Sequence, residues 1–517
     1  MTAAAQSTRT LLIMLDGCDP GLLEDGMAAG RLPQLRALRE AGGATVIAGL
    51  PGLGANALMP SLYTGTTPDH HGRYYHRQSE AGDYSADTEH AVAARVPTFY
   101  DLLAREGRRV LLINAPKAPI EPGEASLRSI NGWNMHLSVP EREFECHPAS
   151  LQDELVKKLG APTRCPCLAH RHEHSALLVV GEVLASIEAR VDQQATLAAW
   201  QLAETPWDLA VVGLDAGHCA GHLLWHCHDS THPDHPATGD PDPLARICVK
   251  LDQAVGKLVA GLSGEFRVAI FAGPGMGPGH VHPDMLERVL KARLAHSGKA
   301  RGSARAAMKG LWRRMPAPWR RLLSGPGQWL DAKLQRSDYQ ALDCFPVRLN
   351  DNVGGLRINL QGRERQGRVP KADYEVLGRE LCSLLESLRC GRTDAPLVRR
   401  ALFTTDHYGA AATSTLPDVL VEWAESGPID LVSGEGITPF QLDTPPLWTG
   451  AHNDRMLLLL AGQGISPGDV PAGGSILAVA GTMSALAGGP PELGNGYSLL
   501  AGTRAGQQPR QERDTGS

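Results

Sequence analysis

The sequence predicts an α/β fold in which a mostly parallel sheet is sandwiched by helices. Two observations carry this expectation. Apolar runs such as Leu209–Leu214 and residues 11–15 are continuous rather than alternating, as in strands buried on both faces. Helical patterns separate these runs, and strands that alternate with helices build parallel sheets covered on both sides. At 517 residues the chain suits one large domain of this kind with insertions.

The elements follow in order. Residues 11–15 stop at Asp16-Gly17, which sets a carboxylate at the C-terminal end of a buried strand, where open α/β sheets bind ligands. A helix over residues 32–40 and a strand over 45–48 come next, then a helix over 98–106 and a strand over 110–114. Helical patterns cover 175–203 and 243–262, with strands at Leu209–Leu214 and 268–272. Strand-like sequence returns at 355–360, 418–422 and 456–461, with a helix over 372–388. Residues 1–298 and 341–500 are therefore expected to be two parts of one core, with 299–340 a basic helical insertion and 501–517 a disordered tail. Within 299–336 ten Lys/Arg stand against one acid, Asp331, with Trp312, Trp319 and Trp329 interleaved. A solvated basic face is the plainer account, and a lid or dock for something anionic is the functional one.

Composition excludes several classes of function. A net charge of −6 speaks against nucleic-acid binding by the molecule as a whole. No apolar run approaches the ~20 residues that span a bilayer, and residues 11–15 are too few for a secretory signal, so the cytoplasm is the expected location. The ten cysteines follow no paired framework, which suits reduced thiols. The twenty histidines are abnormal, and they cluster.

The densest cluster follows the apolar run Leu209–Leu214. His218, His222 and His226 recur at every fourth residue, so on a helix they share one face. Neutral imidazole is a common metal ligand, although spacing alone does not separate a metal site from a surface histidine cluster.

Several motifs, in order, resemble the alkaline phosphatase superfamily, and within it the type I phosphodiesterase/nucleotide pyrophosphatase branch. Ile13-Met14-Leu15-Asp16-Gly17 is similar to the first strand of that family, whose Asp ligates a metal. Residues 61–72 match a segment S-x-x-T-G-x-x-P-x-x-H-G that follows the nucleophile, and residues 207–226 match the strand and helix that supply an Asp-x-x-x-His ligand pair. Residues 355–364 resemble an I-N-L-x-G-R-E segment, and Thr449-Gly450-Ala451-His452-Asn453-Asp454 resembles G-x-H-x-x-D-G, whose His is a ligand. The resemblance implies an alkaline-phosphatase-like fold and phosphoryl or sulfuryl transfer at two metals with a Thr, Ser or modified Cys nucleophile.

The parts of that site are altered here. The nucleophile position falls on Ala55, or on Asn56 with a slip of one, and neither carries a hydroxyl. Asn56 could at most donate a hydrogen bond to an anionic substrate. The S-D-H-G segment falls on Ala272-Gly273-Pro274-Gly275, so one of the two metal positions retains only Asp16. At the other, Asp-x-x-x-His becomes His218-x-x-x-His222, and His452 remains. Three imidazoles with an open fourth position describe a mononuclear zinc site that lowers the pKa of water to ~7, though iron or copper also accepts three histidines. The expectation is one divalent metal per chain on His218, His222 and His452. Asp16 would serve as general base, and a small polar or anionic substrate would lie near Arg357, Arg363 or the basic insertion. The chain would be a divergent metal-dependent hydrolase that forms no covalent phospho-enzyme. The alternatives are a decayed binding protein and an ordinary two-metal phosphodiesterase. His226, Asp215, His280 and His282 are candidate outer or substitute ligands. Cys165-Pro166-Cys167 with His170, His172 and His174 could hold zinc in a loop, although such short tracts are more often incidental. Residues 69–72 are expected to secure a turn near the site, and His228, Asp229, His232, Asp234 and His235 are read as solvated loop residues that could rim the cleft.

Overall fold

The computed structural model describes residues 8–500 except 76–77, 79–83, 85–95, 120–125, 137–143, 164, 171–172, 238–241, 299–307, 309–334, 336, 348, 351, 426 and 443–445. The basic stretch 299–336, apart from Met308 and Gln335, and the tail 501–517 thus lie outside the described residues. The expected strands at 11–15, 45–48, 110–114 and 268–272 are present as β1 (Arg9–Leu15), β2 (Gly43–Ala48), β3 (Val110–Ile113) and, further on, β7 (Phe266–Ala272). Between β3 and β7 come β4 (Leu127–Asn131), β5 (Glu145–His147) and β6 (Leu209–Leu214).

Among the described residues these strands belong to a nine-stranded sheet in the order Gly474–Ser475, β2, Arg455–Gly462, β7, β1, β6, β3, β4, β5. Neighbours are parallel except where Arg455–Gly462 pairs with β2 and β7, and where β5 pairs with β4. Strand β1 shows why continuous apolar runs fit this position. Leu11, Ile13 and Leu15 pack on one side of the sheet against residues of the helices Val180–Glu204 and Pro243–Ala260. Leu12 and Met14 pack on the other, against residues of Ala55–Thr64, Phe99–Arg105 and Leu477–Leu486. Every residue from Leu11 to Leu15 is buried, and each such side chain contributes about 1.5–3 kcal/mol.

A second, antiparallel sheet orders Val398–Phe403, Val419–Trp423, Val353–Ile358 and Cys344–Val347. The helices Met285–His296 and Tyr374–Glu386 close its own apolar core. This layer braces the first: Glu422 accepts a hydrogen bond from the Gly52 N–H (2.6 Å), just before the helix Ala55–Thr64. Because Arg455–Gly462 runs antiparallel to β7, its N-terminal end lies at the sheet edge reached by the C-terminal ends of β1, β2, β3, β6 and β7. The candidate residues follow those ends.

Candidate metal centre

Three backbone close approaches assemble the centre. Strand β1 ends at Leu15, and the turn Asp16-Gly17-Cys18 lies against the start of the helix Ala216–His228, with the His218 N–H donating to the Asp16 carbonyl at 2.9 Å. Gly17 adopts φ +70°, and a Cβ there would stand 2.3 Å from His218 Cα, so only glycine fits. The short strand Gly450–His452 pairs with Met276–Pro278 and lies on the same helix; a Cβ at Gly450 would come 2.0 Å from the Gly221 carbonyl oxygen.

The result brings together residues far apart in sequence. One ligand-capable atom from each of His218, His222 and His452 lies within 4.8 Å of the others, and all three side chains are buried. His452 Nε2 is 3.1 Å from His218 Nδ1, close to the ~3.4 Å that separates two imidazole nitrogens on one tetrahedral zinc. His222 Nδ1 faces the Gly450 carbonyl at 2.9 Å, and His452 Nδ1 faces that of Gly275 at 3.3 Å. A carbonyl only accepts, so both Nδ1 atoms carry the proton, and each Nε2 turns its lone pair elsewhere. Backbone carbonyls commonly fix the tautomer of metal-binding histidines in this way.

Burial sets the electrostatics. Desolvation, followed by the neighbouring His136, His222 and His452, holds His218 well below the usual histidine range, and desolvation followed by His222 and Lys117 does the same for His452. Neutral imidazoles are the form that binds a metal. Asp16 is raised by burial, against the opposing pull of Lys117. Its Oδ2 stands 3.9 Å from His218 Nδ1, while Asp16 Oδ1 and His218 Nε2 are buried without a hydrogen-bond partner. Orphaned polar atoms of this kind are costly unless something else satisfies them, and a water or a bound substrate beside the three histidines would do so. The residues present fit one metal ion.

Residue 273 is closed to a side chain. At Gly273, φ is +116° and a Cβ would meet the Arg455 carbonyl oxygen at 2.8 Å and Met456 Cγ at 2.9 Å. This backbone leaves no room for a ligating side chain at residue 273. Asn56 lies in the first turn of the helix Ala55–Thr64, where Asn350 Oδ1 accepts hydrogen bonds from its backbone N–H (2.9 Å) and its Nδ2 (3.1 Å). Its amide is thus already engaged by the loop between the strands Cys344–Val347 and Val353–Ile358.

Other expected residues take different roles. Arg357 and Arg363 are engaged in ion pairs within the antiparallel layer. Arg357 is 1% exposed and pairs with Glu364 at 2.7 Å, and Arg363 pairs with Glu364 at 2.9 Å and Asp418 at 2.6 Å. Removing one partner from such a buried network costs roughly 3–5 kcal/mol, so these arginines hold the antiparallel layer together. His226 contacts Thr449 (3.1 Å), His280 stacks on His232, and His282 lies 3.7 Å from Asp284. Asp215 accepts from Arg190, Gln194 and the His136 N–H rather than reaching the three histidines. His71 secures its turn as expected: Nε2 meets Ser61 Oγ at 2.9 Å, Nδ1 accepts from the Arg73 N–H, and burial lowers its pKa to about 3.

Sequence reading overlooked Lys117, whose charge acts on Asp16, His218 and His452. It lies in the loop after β3, at the same sheet edge as Asp16, and the strand-end rule was the available signal. His136, whose ring centroid lies 4.3 Å from that of His218, sits in a loop and gave no signal in sequence. Among the described residues, Cys165 and Cys167 are not joined by His170 and His174 in a loop cluster. His170 lies near Glu173 (3.5 Å), His174 near Asp234 (4.0 Å), and His172 is outside the described residues, while the two cysteines meet His136 and Cys219.

Comparison with known proteins agrees with this architecture. Phosphonoacetate hydrolase from Sinorhizobium meliloti 1021, solved with phosphonoacetate, superposes with a TM-score of 0.53 at 13% identity, covering 93% of this chain and 96% of that one. Murine ectonucleotide pyrophosphatase/phosphodiesterase 5 in complex with AMP gives a TM-score of 0.50 at 9% identity, covering 96% and 100%. At such identities the likeness concerns the fold, which is alkaline-phosphatase-like in both. No curated protein matches the sequence. The model of one family, described as type I phosphodiesterase/nucleotide pyrophosphatase, matches residues 10–427. With that match spanning most of its length, the chain belongs to the type I phosphodiesterase/nucleotide pyrophosphatase family.

Proposed function

We propose that this protein is a hydrolase with a single catalytic divalent metal, zinc in the first place, held by His218, His222 and His452 and acting on a small anionic substrate. The observation that carries the reading is the convergence of three buried imidazoles, with His218 and His452 held neutral by burial, beside a carboxylate oxygen without a hydrogen-bond partner. A metal bound there supplies Lewis acidity to substrate and water. Asp16 is the proton acceptor, with its unpartnered Oδ1 available and its basicity kept up by burial. Lys117, rather than Arg357 or Arg363, offers the charge that draws an anion to this sheet edge. Asn56 is at most a hydrogen-bond donor to that anion, since Asn350 already holds its amide. The phosphonate and the nucleotide bound in the two structural relatives are small anions, the class of ligand proposed here. All ten thiols are free, which suits a reducing compartment, so we place the protein in the cytoplasm; no helix among the described residues is long and apolar enough to cross a membrane.

Two outcomes test the chemistry. Asp16→Asn should leave metal content at the wild-type level while lowering kcat by about 10²–10⁴-fold, the range for a lost general base. Equal losses of metal and activity would make Asp16 a ligand instead. The second concerns the missing nucleophile. An amide or a methyl group cannot attack phosphorus, so quenching turnover of a labelled phosphonate or phosphodiester should leave no label on residues 54–61. A labelled peptide from that segment would sink the proposal of direct hydrolysis.

A further inference from the structure

We propose that His136, Cys165, Cys167 and Cys219 form a second, closed metal site, holding a zinc-like divalent ion as a structural staple beside the three-histidine centre. One donor atom from each of the four lies within 4.8 Å of the others, and the three cysteines are buried. His136 Nδ1 is 3.2 Å from Cys165 Sγ, and Cys165 Sγ is 3.6 Å from Cys219 Sγ. In a tetrahedral zinc site, nitrogen–sulfur and sulfur–sulfur pairs lie roughly 3.6 and 3.8 Å apart. Three thiolates and one imidazole are a common structural-zinc set, and with four protein ligands no position stays open for substrate.

The ligands come from three segments. His136 lies in the loop after β4, Cys165 and Cys167 flank Pro166 at the start of the short helix Pro166–Ala169, and Cys219 lies in the helix Ala216–His228. None of these segments fixes the others by itself. Around them a ring of buried polar groups holds the ligands in place, as is usual for metal ligands. Arg190 donates Nη1 to Cys219 Sγ at 3.4 Å and Nη2 to Asp215 at 3.1 Å. Asp215 in turn accepts the His136 N–H. Three thiolates and a dication carry a net negative charge, and the Arg190 guanidinium is the cation positioned to offset it.

A disulfide explains the cluster less well. A Cys165–Cys219 bond would require ~2.05 Å between the sulfurs, and it would leave Cys167 and His136 without a role. The staple also has a consequence for the neighbouring centre. Cys219 follows His218 in the helix, and the His136 ring rests 4.3 Å, centroid to centroid, from the His218 ring. An ion here would fix the wall against which His218 is held. This inference uses none of the three histidines as ligands and does not depend on the function proposed for them.

The test is to express the full chain in cobalt-supplemented minimal medium and purify it under reductant. Thiolate-to-cobalt charge-transfer absorption in the near ultraviolet is expected in the wild type, in His452→Ala and in the control Cys146→Ser, and it should vanish in Cys165→Ser/Cys219→Ser. If that double variant is insoluble, the zinc-edge absorption spectrum of the wild type decides, with a sulfur shell at ~2.3 Å expected. Absence of the cobalt band from the wild type, absence of a sulfur shell, or a band that survives in Cys165→Ser/Cys219→Ser would each overturn the site.

Discussion

Replacing His452 with alanine is expected to empty the three-histidine centre. His452 is the member that comes from another part of the chain, and its Nε2 lies 3.1 Å from His218 Nδ1. Loss of an outer-shell partner costs about 10–100-fold in metal affinity, and loss of a ligand from a set of three should exceed ~100-fold. Activity should fall with the metal. The fold should survive, because His452 ends a three-residue strand rather than filling the core of the sheet. Competitive titration with a chromophoric chelator checks this, and wild-type affinity in His452→Ala would remove the histidine from the ligand set. His218→Ala should behave alike.

Gly17→Ala should do more damage than any ligand variant, because it attacks the approach that builds the site. The residue sits at φ +70°, and its new Cβ would press on the His218 backbone at 2.3 Å. The left-handed conformation costs an alanine roughly 1–2 kcal/mol, and forcing extra volume into packed surroundings adds about 1–3 kcal/mol. A loss of about 2–5 kcal/mol in denaturant unfolding is expected, with weakened metal binding even where the protein folds. An unfolding midpoint equal to the wild type would mean that the turn and the helix do not meet as described.

These two residues also show what could be read from sequence. Strands β1, β6 and β7 were legible because burial on both faces leaves an unbroken apolar run. The three histidines were legible because helical spacing joins His218 to His222, and a family motif supplies His452. The antiparallel layer was harder to see: its strands could be read singly, but nothing in their pattern said that they form a separate sheet. For that reason Arg357 and Arg363 looked like substrate ligands, when Glu364 and Asp418 bury them in pairs. The cysteine cluster was half visible. Cys165 and Cys167 announce each other by spacing, but their other partners lie in a loop and in the helix that follows β6, and only the tertiary fold joins them.

The central claim is a single catalytic metal on three histidines. Anomalous diffraction at the zinc edge, from crystals of the full chain grown with zinc, tests it most directly. The account expects a strong peak enclosed by His218, His222 and His452, and none between Asp16 and Gly273. A peak between Asp16 and Gly273, or no peak among the three histidines, would contradict it.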